Sequence, residues 1–324
     1  MKTMSNKLVG TTVRSQSALK FLRFMSEHYL LVILIMLILV GFISSPNFLT
    51  VRNITNVLLQ NSMNTIIAMG MLFVIITRGI DLSVGSILAL AGCLVAGQLQ
   101  QGTNTIMAVI IVLSMMAVLG AASGFMVSVG KVAPFIVTLA MMTIVSGMAF
   151  MYQIGADRRI DGTPLTNFIN SNLFMIPAPV YIMVFVIVIA WITLEKTTFG
   201  RSVYAIGGNS EAARLAGVRV TLTLIIVYAI SAVFAGSAGI ILTGRLSLGT
   251  AIVGQGAELD AIAAVVIGGA SMNGGKGTVI NTVIGAFVIG LIVNIMNINQ
   301  IPAYPQLITR GVIILIAVIW QRKS

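Results

Sequence analysis

Residues 29–43 read YLLVILIMLILVGFI, an unbroken apolar run without a charge or an amide. Extended to 28–45, it approaches the roughly 20 residues that a helix needs to cross the hydrocarbon of a bilayer. A cleaved signal sequence has a similar apolar centre. Ser44-Ser45-Pro46-Asn47, however, lacks a small-x-small cleavage pattern, so the run reads as an uncleaved first membrane span. Nine further segments have comparable apolarity: 60–77, 83–100, 104–128, 132–153, 179–194, 222–243, 257–272, 277–298 and 305–320. Of these, 257–272 and 305–320 are short and carry charge at an end or inside, which is tolerated where a helix is broken or shielded by its neighbours. The fold class is therefore all-α: a polytopic transmembrane helical bundle of about ten spans with broken helices.

The whole composition agrees. Of 324 residues, 58% are hydrophobic and 8% charged, against about 25% charged in a soluble domain. A disordered chain would be poor in apolar residues. The single cysteine, Cys93, excludes an internal disulfide framework. The net charge of +11 does not indicate nucleic acid, because the basic residues sit at the ends of apolar runs, with no aromatic-interleaved patch. The 19 methionines are spread over most spans and read as packing. Pairs of small residues four apart (Gly85/Ala89, Ala235/Gly239, Ala286/Gly290) suit close helix contacts.

Lys and Arg set the orientation. With the N-terminus inside, thirteen lie at cytoplasmic ends (Lys2, Lys7, Arg14, Lys20, Arg23, Lys131, Lys196, Arg201, Arg214, Arg219, Lys276, Arg322 and Lys323) and four outside (Arg52, Arg158, Arg159 and Arg245). Arg78 and Arg310 fall within or beside spans. This satisfies the positive-inside rule and places both termini in the cytoplasm. The organisation is a cytoplasmic segment 1–27, a transmembrane domain 28–320 and a tail 321–324. Its two long connections are an external loop 154–178 and a cytoplasmic loop 195–221. A weak internal echo joins the halves: residues 74–92 and 266–285 each run from apolar through a polar, Gly-rich break to apolar again, with Gly85 aligned to Gly277.

Three stretches carry polar chemistry. In Thr77–Ser86 (TRGIDLSVGS), Arg78, Asp81 and Ser83 interrupt two spans. Asp81 either caps a helix starting at Leu82 while Arg78 closes the preceding one, or the pair contacts a permeant, since charges near membrane depth often mark a pathway. Glu258 and Asp260 open the span at 257, where the helix dipole favours acids; contact with a permeant or an external partner is the other reading. The Gly-rich segment 268–278 (GGASMNGGKGT) fails as a phosphate loop: GxxxxGK[ST] would need Gly at Ala270 and Ser or Thr at Gly277. Asn273 in it joins Arg78, Asp81, Ser83 and Asp260 as a candidate for a pathway or gate. In the cytoplasmic loop, Asn209 or Ser210 caps a short helix that Glu211, Ala212 and Ala213 favour and Gly217 ends. Such a helix is marginal alone and must rest on its own protein or the headgroups, or dock a cytoplasmic partner. His28 is the only histidine and has no acid or cysteine cluster around it, so neither a metal site nor a catalytic triad can be built.

Four motifs, SPNFLTVRNITNVLLQNS (45–62), ITRGIDLSVGSILALAG (76–92), TTFGRSVYAIGGNSEAARLAGVRV (197–220) and ELDAIAAVVIGGASMNGGKGTVINTVIGAFVIG (258–290), together resemble the membrane-spanning permeases of sugar-importing ABC transporters, the ribose and galactose group. The resemblance implies two permease subunits, identical or not, two cytoplasmic ATPase subunits that bind the ATP, and a periplasmic or lipid-anchored sugar-binding protein. It marks 207–217 as the coupling helix, with Gly207, Gly208, Asn209, Ser210, Glu211, Ala212, Arg214 and Gly217 as its residues. The expectation is a permease subunit of the inner membrane that imports a monosaccharide, a ribose-like pentose first, by alternating access, with no cofactor and no enzyme site of its own. The rival is a self-contained, ion-coupled transporter or channel, which would show several buried acids along its spans; a membrane scaffold would not need Gly-rich breaks in both halves.

Overall fold

The computed structural model describes residues 29–153 and 155–322. The expected cytoplasmic segment 1–27, His28 and the last two residues lie outside the described residues. Thirteen helices make up 76% of the described chain. The first five are α1 (Tyr29–Ser44), α2 (Val51–Ile76), α3 (Val84–Gln100), α4 (Thr105–Ser128) and α5 (Pro134–Gln153). The short α6 (Pro164–Ile169) lies in the external connection, and α7 (Ala178–Lys196) leads to the cytoplasmic pair α8 (Thr198–Gly208) and α9 (Ser210–Leu215). Then come α10 (Val220–Leu246), α11 (Ala257–Ile267), α12 (Val279–Ile298) and α13 (Ala303–Arg322). Strands β1 (Arg158–Arg159) and β4 (Leu248–Gly249) pair antiparallel, as do β2 (Asn172–Leu173) and β3 (Ile176–Pro177). Among the described residues, six helices are long and apolar enough to cross a membrane, and α1 and α3 are shorter apolar helices.

Helix α10 is the axis. Small residues let its neighbours reach its backbone: Gly70 of α2 lies against Ser231, Gly120 and Gly124 of α4 lie against Tyr228 and Ile225, and Gly239 of α10 meets the backbone of Leu88 in α3. Without a hydrophobic drive between helices in lipid, such close backbone approach supplies the packing. Helix α2 from Asn61 onward is almost wholly buried, as is α3, while α4 and α5 present large apolar side chains outward.

Three expected spans are corrected. The span expected at 60–77 is a 26-residue helix that begins at Val51, capped by the Thr50 hydroxyl, which accepts from Asn53 N. Its polar first turns mislead a hydropathy reading. Asn53 is satisfied by an exchange of two amide hydrogen bonds with Asn294 of α12, at 3.1 and 2.8 Å. The span expected at 257–272 is only the 11-residue α11, about 16 Å long at 1.5 Å per residue. The chain leaves α10 through Ser247 in the left-handed conformation (φ 54°) and turns back along α3: Gly249 packs on Gly92 and Ala96, then Gly254 on Gly85. Since Leu88 is level with Gly239, Gly85 lies beside the middle of α10. Helix α11 therefore starts at mid-depth and runs back to the cytoplasmic side as a half-span. Non-helical backbone at that depth is tolerated only when covered by protein, and Gly249, Thr250 and Ala251 are buried. The 305–320 span is longer than read and carries the helix through Arg322, into the expected tail.

A side chain at Gly239 would strike the Leu88 backbone, whereas Gly147 on α5 faces open space. Gly239→Leu is expected to lower stability by about 1–3 kcal/mol, read as a fall in the melting temperature of the detergent-purified protein, with Gly147→Leu nearly neutral.

Candidate functional site

The cytoplasmic loop folds around one residue. Asn209 ends α8, and its side-chain oxygen accepts from Glu211 N and Ala212 N, both at 3.0 Å, so it starts α9 as well. Gly217 (φ 85°) closes α9, with its N–H on Arg214 O and that of Val218 on Ala213 O. This is the cap and stop read from the sequence. Only Ala213 of α9 is buried; Ser210, Glu211, Ala212, Arg214 and Leu215 face outward. Arg214 and Glu211 form an exposed ion pair. The Arg214 hydrogen bond holds the Glu211 carboxyl below the usual carboxylate range. Water screens such a pair, so it contributes little to stability. It sets instead the charge pattern that α9 shows to the cytoplasm.

Arg78 does not meet Asp81. Its backbone is left-handed (φ 65°), which turns the side chain toward the end of α8. There Nε donates to Gly207 O at 2.7 Å and Nη2 to Gly208 O at 2.5 Å. These are carbonyls that a helix C-terminus leaves without partners, and a cation is favoured beside them. The Gly-rich segment reaches the same point: Gly275 N donates to Ile76 O at 2.9 Å, and Tyr204 Oη to Gly277 O at 2.7 Å. A side chain at Gly207 would collide with Ile76 O and Gly275 N. The two echoing breaks therefore meet each other and the end of α8. Asn273 is exposed on this loop, its N–H on Ser271 Oγ.

Asp81 is 1% exposed. Oδ1 accepts from Ser83 N (3.0 Å) and Ser83 Oγ (2.6 Å), and Oδ2 accepts from Ser231 Oγ of α10 (2.8 Å). The helix it precedes starts at Val84 rather than Leu82. Asp260, in the first turn of α11, pairs with Arg310 of α13 at 3.0 Å. Sequence reading missed this pair, since fifty residues separate the partners. The available signal was Arg310 itself, a cation inside an apolar helix that requires a counter-charge. Gly207, Gly208, Asn209 and Arg78 thus come together at one junction, while Asp81 with Ser83 and Asp260 occupy two separate buried positions. An apolar groove of about 500 Å³ between α2, α4, α7 and α10 offers a polar solute little beyond Thr193.

A helical bundle with broken helices at membrane depth and a presented cytoplasmic helix defines a polytopic permease subunit. The family model described as "Branched-chain amino acid transport system / permease component" matches residues 53–318, and the chain belongs to that family. The ribose import permease protein of Bacillus subtilis (strain 168) is 42% identical over 300 residues, 90% of this chain and 91% of the relative. That of Escherichia coli (strain K12) is 42% identical over 307 residues, 92% and 94%. The L-arabinose transport system permease protein of the same strain is 37% identical over 319 residues, 98% and 97%. No solved structure matches the chain. The chain is a transport component of an ATP-binding-cassette importer in the cytoplasmic membrane.

Removing one partner of the Asp260–Arg310 pair strands a buried charge. Asp260→Leu or Arg310→Met alone is expected to destabilise by about 3 kcal/mol. The double variant recovers most of that loss in a double-mutant cycle read by thermal unfolding.

Proposed function

We propose that this chain imports ribose or a closely similar pentose as one of two identical permease subunits, powered by a separate pair of cytoplasmic ATPase subunits and supplied by an external sugar-binding protein. The identities to ribose permeases over nine-tenths of the chain support the substrate. The observation that carries the coupling is α9: a helix too short to stand alone, capped by Asn209 and presenting Leu215 at 77% exposure beside the Glu211–Arg214 pair. Gly207, Gly208, Asn209, Ser210, Glu211, Ala212, Arg214 and Gly217 form and anchor this docking element. The chain has no nucleotide loop, so ATP is bound by the partner. Asp81 and Ser83 start α3 and tie it to α10, and Asp260 holds α13 to the half-span. The external connection 154–178, held to the mouth of the bundle by the β1–β4 pairing, faces the binding protein. Uncharged sugar suits a pathway whose buried acids already have partners.

The test is reconstitution. Ribose uptake into proteoliposomes is expected to require the binding protein on one face and ATP with the ATPase on the other. Uptake by this chain alone under a proton or sodium gradient would overturn the reading. A second prediction concerns α9. Exchanging its charges, Glu211→Arg with Arg214→Glu, keeps an i,i+3 ion pair but inverts the surface that a partner meets. Transport is expected to fall on the order of tenfold through like-charge juxtaposition, with the melting temperature of the isolated permease unchanged.

A further inference from the structure

We propose that Arg78 is the positioning residue that transmits motion of the docking helix to the interior of the bundle. This rests on the reading of α9 as the ATPase contact and adds the path by which the stroke leaves it. The observation is the Arg78 guanidinium holding Gly207 O and Gly208 O, the two residues immediately before the Asn209 cap. Arg78 itself sits three residues from Asp81, which is bonded to Ser231 at the centre of α10. The chain of contacts from α9 therefore runs through Asn209, the Gly207–Gly208 carbonyls, Arg78 and the 77–83 break to the axis of the fold.

Arg78 and Gly208 are exposed, and three features still make this a stiff link. Arginine presents a planar fork, and here two of its donors hold two successive carbonyls, an arrangement that a lysine ammonium cannot reproduce. The neighbouring contacts are backbone on backbone: Gly275 N on Ile76 O, with Gly207 packed against both and no room for a side chain. The Gly275–Ile76 contact has no side-chain torsion that could absorb a displacement. The left-handed backbone at Arg78 is uncommon for a side-chain-bearing residue, and it directs the side chain to α8. The same junction also reaches α11 and α12 through the Gly-rich segment, so a shift of α8 acts on both breaks at once.

The experiment measures sugar transported per ATP hydrolysed in proteoliposomes holding the permease, its ATPase, the binding protein and ribose. ATP-dependent uptake by the unaltered complex tests the proposed function by itself; if it is absent, that reading fails whatever Arg78 does. Given uptake, Arg78→Gln is expected to leave assembly and hydrolysis near wild type while lowering the ratio about fivefold or more, within the range for residues that carry coupling. Arg78→Lys is expected to fall between the two. Tyr204→Phe, which removes the hydroxyl bonded to Gly277, is expected to lower the ratio by a smaller factor. An unchanged ratio in Arg78→Gln overturns the proposal, as does a parallel loss of transport and hydrolysis in an assembled complex. If Arg78→Gln does not assemble, Arg78→Lys decides: a lowered ratio supports the link, and a wild-type ratio overturns it.

Discussion

Within hydrocarbon a backbone N–H or C=O has no solvent to turn to, and each one left unpaired costs several kcal/mol. This fold nevertheless carries irregular backbone at three places inside or beside the bundle: residues 77–83, 247–256 and 268–278. Each packs in part on protein in its own way, while Ile252, Gln255, Asn273 and Lys276 face outward. The first lies against α10 and uses Asp81 to satisfy Ser83 and Ser231. The second lies along α3, where glycines replace side chains on both surfaces. The third is pressed onto the end of α2 and bonded there through Gly275. The length and centrality of α10, and the glycines along its neighbours, are what cover these breaks.

The half-span α11 follows from the same constraint. Because its chain descends as covered loop rather than as helix, its first turn opens near mid-depth, where Glu258 and Asp260 meet the positive end of the helix dipole. The dipole favours those acids but cannot neutralise a buried charge. Arg310, on a helix that exposes Leu307, Ile308, Val312 and Leu315, supplies the counter-charge. Breaking such a pair on one side is far more damaging than replacing both sides. The pair therefore specifies which face of α13 turns inward.

Much of this was legible in the chain. Tyr29–Ile43 read as an apolar helix, which Tyr29–Ser44 is, and of the two cap candidates Asn209 rather than Ser210 caps α9, with Glu211 in its first turn and Gly217 at its stop. What was not legible has a common cause: hydropathy weighs each residue by itself, whereas depth is decided between residues. Asn53 reads as a span boundary until Asn294 is placed opposite it. The apolar run after Ala257 reads as a full span because nothing local reveals that the preceding loop has already covered half the depth. Arg78 reads as closing the helix that precedes it, yet its left-handed backbone sends the side chain to the end of α8, to carbonyls 129 residues away in sequence. No spacing rule anticipates that partner, because helix-terminal carbonyls carry no residue-type signature.

The scarcity of charge bears on the mechanism. An ion-driven carrier needs acids that are free to take and release a cation. Here Asp81 has three hydrogen bonds from serine groups and Asp260 an arginine, so both act as fasteners. Under the proposed function, driving energy enters from outside the bundle through α9. To shift a two-state equilibrium from 1:99 to 99:1 takes about 5.5 kcal/mol of differential interaction. Two hydrogen bonds from a buried charged donor would contribute about 1.5–3 kcal/mol each, but Arg78 is exposed and water reduces that, so the guanidinium supplies only part of it. The remainder of the proposed link is backbone, with Gly275 N on Ile76 O and Gly207 packed against both.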